Sequence, residues 1–90
     1  MTMLEIMKDR MPKEAVIVKV KEQQSRYDLI VEVDGKTTKG SLPKTCAPNM
    51  AERVVDFSIC TLMMGAYLGN GNLEKAKFWK DKQDELVQLK

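Results

Sequence analysis

The sequence predicts an α+β fold: a short N-terminal helix, a three-stranded antiparallel β-meander and a C-terminal antiparallel helical hairpin packed on one sheet face. Three observations predict it. Apolar residues alternate with polar ones through residues 14–33, the period of half-buried strands. Asp34-Gly35 follows, a pair suited to a two-residue type I′ hairpin turn because glycine accepts positive φ. Residues 50–68 then form the most apolar run of the chain, closed by Gly69-Asn70-Gly71-Asn72 and followed by a second helical pattern. Ninety residues with 43% hydrophobic and 31% charged side chains make one ordinary globular domain, residues 1–90.

The N-terminal helix spans residues 1–12. Thr2 with Glu5 fits a capping box, Leu4, Met7 and Met11 form a stripe with Met3 beside it, and Pro12 stops the helix. This segment is read as a lid on the core; the alternative is an arm exchanged with a partner chain.

The first strand covers residues 14–22 and the second residues 27–33, joined by a four-residue loop, Gln23 to Arg26. That loop pairs Val20 with Leu29, Val18 with Val31 and Val16 with Val33 on one apolar face. Lys21 opposite Asp28 is a favourable pair on the other face. Ile17, Lys19, Ile30, Glu32 and Lys39 join that second, solvated face. The third strand, residues 36–42, is polar and reads as an edge, where lysine and threonine discourage unwanted strand pairing.

The meander therefore ends at residue 42 and the helical hairpin covers residues 49–89. Its first helix opens with Asn49 as N-cap and Glu52 at N3; Pro48 at the first helical position is the alternative start. Three stripes run along it. They are Met50, Val54, Phe57, Thr61, Met64 and Leu68; then Val55, Ile59, Leu62 and Ala66; then Cys60, Met63 and Tyr67. Asn72 caps the last helix, residues 73–89. Its stripe is Leu73, Ala76, Trp79, Leu86 and Val87, with Gln83 inside it, while Phe78 and Leu89 lie on a separate patch.

Several functions are disfavoured by composition. The chain holds no histidine, which removes Ser-His and Cys-His nucleophile pairs. The carboxylates are dispersed, so no catalytic residue is assigned. Cys46 and Cys60 alone cannot complete a four-ligand zinc site, and no metal or cofactor is expected. Without a secretory signal both are read as free thiols in a reducing cytoplasm. Cys46 just before a helix is a candidate reactive thiol with no base beside it. The net charge of +2 is spread without a basic arm, which makes nucleic acid a less favoured partner. Twelve uncharged residues, 57–68, are too few to cross a membrane.

Apolar surplus carries the functional expectation. A sheet covers one stripe of the central helix and the last helix covers a second. The third must meet the N-terminal helix or another chain. Met7, Cys60, Met63, Tyr67, Phe78, Gln83 and Leu89 are thus the expected self- or partner-interface. Gln83 would bond across it or to a helix-end carbonyl. Lys44, Thr45 and Asn49 at one helix start, and Asn70 and Asn72 at the other, are candidate anion ligands. The expected function is a small non-enzymatic, homo-oligomeric binding protein. An inhibitor or sequestering protein of viral or mobile-element type fits, acting on a protein partner or a small anionic, nucleotide-like ligand. The alternative is a nucleic-acid-binding regulator using the basic sheet face and the helix N-termini.

Overall fold

A computed structural model describes residues 2–88 and has the predicted architecture. The order is α1 (Met3–Arg10), β1 (Ala15–Glu22), β2 (Arg26–Val33), β3 (Lys36–Pro43), α2 (Ala51–Gly69) and α3 (Leu73–Gln88), with a single 3-10 turn, Pro48–Met50, before α2. The antiparallel sheet runs β1-β2-β3. Helix α2 lies on its core face closest to β3, α3 packs along α2, and α1 closes over α2.

Local chemistry explains most element ends. The Glu5 N–H donates to Thr2 Oγ1 and the Thr2 N–H to Glu5 Oε1, completing the capping box of α1. Asp34 and Gly35 both take positive φ, 51° and 84°, as a type I′ turn requires. Helix α2 ends in a Schellman motif. The Asn72 N–H donates to the Tyr67 carbonyl, the Gly71 N–H to that of Leu68, and Gly71 holds φ 74°. Asn72 then caps α3 through Lys75 N–H. Asn49 does not cap α2. Pro48 instead opens the 3-10 turn, whose backbone supplies the first bonds.

The register of β1 differs from the expected one. Val20–Leu29 and Lys21–Asp28 pair as predicted, but a β-bulge falls between Ile17 and Lys19. Val18 is the extra residue, so the phase inverts beyond it. Ile17 opposes Val31 and Ala15 opposes Val33, while Val16 and Val18 are 60% and 57% exposed. Residues 15–18 are all apolar, so no polar side chain there fixes which phase faces inward.

The core joins Leu29, Val31, Val33 and Leu42 of the sheet to Val55, Ile59, Leu62, Met63 and Tyr67 of α2, with Met3 and Met7 of α1 and Trp79 of α3. Gly40 faces Leu62 so closely that a Cβ would collide with its side chain. Glycine here lets α2 approach the edge strand.

Candidate functional site: a groove beside the edge strand

The third stripe of α2 is covered within the chain. Cys60, Met63 and Tyr67 are buried, as is Met7 of α1, the helix packed on α2. The lid is pinned at its far end, where the Arg10 guanidinium makes a two-pronged pair with Asp56, both bonds 2.6 Å. Tyr67 donates its hydroxyl to Glu14 (3.2 Å). Burial, followed by the Glu14 charge, pushes its pKa far up. Burial likewise pushes the Cys60 thiol up. These four residues therefore leave no free surface for a second chain, a correction to the expected interface. Cys46 is half-buried, its Sγ 3.7 Å from Met3 Sδ.

The uncovered stripe is the first one. Phe57 is 41% exposed, Leu68 more so, and Thr61 faces solvent. Phe57 and Thr61, with Met50 and Val54, form one wall of a groove of about 900 Å³; Leu68 lies beyond it. Residues 39–41 and Pro43 of β3 form the opposite wall, and Leu86 and Val87 of α3 close one end. Leu62, seated over Gly40, supplies the floor.

The groove is less polar than its sequence suggests. Ser58 and Thr61 turn their hydroxyls onto the carbonyls of Val54 and Phe57, at 2.9 and 3.1 Å. Gln83 bonds within the chain, donating to Thr61 Oγ1 and to the Phe57 carbonyl. That carbonyl is mid-helix rather than at a helix end. The amide fastens α3 to α2 beside the groove. On α3, Ala76 and Trp79 are buried and Leu86 half-buried, whereas Leu73 and Val87 are exposed, so the buried stripe is narrower than expected. Phe78 is exposed, packed edge-on against Trp79 with the Lys82 ammonium over its ring at 4.9 Å. Leu89 lies outside the described residues.

The candidate anion ligands are not brought together. Lys44 and Asn49 precede α2 while Asn70 and Asn72 follow it, about 28 Å away along a helix of 19 residues. Lys44 is committed internally to Glu22 Oε2 (2.7 Å) and the Gln23 carbonyl, over the Tyr27 ring. Thr45 and Asn49 are exposed without cap bonds, and Asn72 is used as a cap. Among the described residues no three His, Cys, Asp or Glu side chains converge as a metal-ligand set.

On the outer sheet face Lys19, Lys21 and Lys39 surround Ile30 at a shallow dent of about 280 Å³. Asp28 shares it. Its carboxylate is held low first by the bond from Arg26 and then by that from Gln23.

The groove was missed in the sequence because the rotation of α2 was undetermined. A signal was present: Thr61 lies within the first stripe, and Arg53, Ser58 and Gly65 flank it. No comparable polar or small residue interrupts Cys60, Met63 and Tyr67. Comparison with family models, curated proteins and solved structures finds no match for this chain. No helix among the described residues is long and apolar enough to cross a membrane.

Proposed function

We propose that this chain is a non-enzymatic binding protein that receives a protein partner in the groove between β3 and the α2–α3 hairpin. The observation that carries this reading is the groove itself. Phe57, Val54 and Leu86 present apolar surface at a concave site in a chain whose remaining hydrophobics are mostly buried or scattered. An inhibitory or sequestering role suits a small domain built around one docking surface. Self-association belongs to the same reading and is supported by Leu68, Leu73 and Phe78, exposed on the helical hairpin. The second reading, nucleic-acid binding, draws on Lys19, Lys21 and Lys39, which form no ion pair among the described residues.

Native mass spectrometry of the chain purified from its own cells tests the reading, with Phe57→Asp as control. The wild type is expected to carry a protein partner that the variant lacks, while further copies held through Leu68, Leu73 and Phe78 should persist in both. A clean monomer in both samples would overturn it. A nucleic-acid adduct that survives Phe57→Asp and dissociates steeply with salt would favour the second reading.

A further inference from the structure

We infer that the seam between β3 and α2 takes an extended, acidic segment of a partner chain, which joins the sheet as a fourth strand beside β3. The inference rests on the binding-protein reading and gives the partner its chemistry.

The free edge of β3 sets the geometry. Val33 and Lys36 flank the two-residue turn and so exchange both ladder bonds. Bonded pairs then alternate through Val31–Thr38, Leu29–Gly40 and Tyr27–Leu42. The N–H and C=O groups of Thr37, Lys39 and Ser41 consequently point away from the sheet. Pro43, which has no N–H to offer, falls in the outward-facing phase opposite Arg26. An added strand would meet three outward-facing residues at the two-residue spacing that strands share.

The space beside this edge is continuous. The groove follows residues 39–41 and Pro43. A second cleft of about 220 Å³ continues along residues 36–38, with Gly65, Ala66 and Gly69 on its helical side, and Gly65 lines both. Together they follow every residue of β3 except the buried Leu42, about 26 Å of strand. Gly65 and Gly69 stand one turn apart on α2, and a Cβ at either would meet nothing. Nothing inside the chain requires glycine at position 65, where it weakens the helix. An approaching backbone does.

Charge selects the occupant. Lys39 and Arg53 line the groove, no carboxylate does, and neither cation is paired among the described residues. A second copy would bring its own Lys36 and Lys39 against these, so like charge opposes it. A foreign segment with alternating apolar side chains reaches Val54, Phe57 and Leu62 with one set. Its carboxylates, on the alternate set that faces outward, meet Lys39, and an acid at the end of the inner set reaches Arg53.

The test pans a displayed library of random peptides, about twelve residues long, against the full chain and against Phe57→Asp. The best peptide is then synthesised with alternate amides N-methylated, in each of the two phases. Selected peptides should carry apolar residues at every second position together with Asp or Glu. They should shift the Thr37, Lys39 and Ser41 amide resonances. One methylation phase should weaken binding about tenfold or more and the other less than about twofold. Ser41→Pro, which removes only an outward N–H, should abolish binding with the native circular dichroism spectrum kept.

Peptides that need Phe57 but show helical spacing and equal effects of both methylation phases would overturn strand addition while leaving the groove in place. Basic selected peptides would overturn the acidic partner. A dimer formed through the same β3 amides without peptide would make a second copy the occupant and overturn the inference. Absence of selection over Phe57→Asp would remove the groove reading as well.

Discussion

Gly40 shows how one missing side chain positions a site. It sits opposite Leu29 on the core face of β3, and Leu62 occupies the volume that its Cβ would fill. Leu62 is buried and floors the groove, so a methyl at position 40 must push it from its seat. Gly40→Ala is therefore expected to destabilise the fold by about 1–3 kcal/mol, the range for overpacking a close-packed interior. Leu62→Ala alone leaves a cavity and costs about 2–5 kcal/mol. The double variant should be more stable than the two losses added together, because the new methyl occupies part of the vacated space. Urea denaturation of the four proteins measures this. Strict additivity would mean that Gly40 is not what admits Leu62.

Helix α2 carries the conflict between folding and binding at the scale of an element. Its buried residues explain why it forms and where it sits, but Gly65 contributes nothing to either. Gly65→Ala should stabilise the chain by about 0.5–1 kcal/mol, since the added methyl meets no neighbour and the helix loses a flexible residue. The same methyl narrows the seam beside β3 and should weaken any strand bound there. A thermal melt and a peptide titration on one sample separate the two effects. A variant that is more stable and binds equally well would show that Gly65 leaves no functional space.

Element existence was legible from the residues because several local signals agreed. Asp34-Gly35, the Thr2–Glu5 box and the Gly-Asn-Gly-Asn turn each specify backbone geometry by their own chemistry. Phase was not legible where the signals were degenerate. Ala15, Val16, Ile17 and Val18 suit either face, so the bulge left no mark. The three stripes of α2 were all apolar enough to be buried, so its rotation was decided by tertiary packing. The groove depended on that rotation, which is why Cys60, Met63 and Tyr67 were expected at an interface and Phe57 was not. Gln83 was identified as needing a partner, and its partner proved to be α2 of the same chain.

For the whole molecule, helix α1 decides which surface is available. With α1 in place, Cys60, Met63 and Tyr67 are interior and the groove is an uncovered apolar site. Without it, that stripe would be exposed and the chain would have a second adhesive face. Buried methionines and an ion pair hold α1 down: Met3 and the fully buried Met7, with the Arg10–Asp56 pair. Met7→Ala is expected to cost about 2–5 kcal/mol and to raise the labelling rate of Cys60 towards that of Cys46. Acid should loosen the same lid through its cap. Bonds from the Thr2 backbone, then from the Thr2 side chain, hold the Glu5 carboxyl below its ordinary 4.5. That stabilisation is complete above about pH 4.5 and is lost as pH falls through the lowered value. Glu5→Gln keeps an amide able to bond Thr2 but does not titrate, so its Cys60 reactivity should rise less between pH 5 and pH 3. A disulfide reagent active in acid reads both effects. Equal Cys60 rates in wild type and Met7→Ala at neutral pH would mean that the stripe is guarded by something other than α1. Self-association would then have to be sought on that face after all.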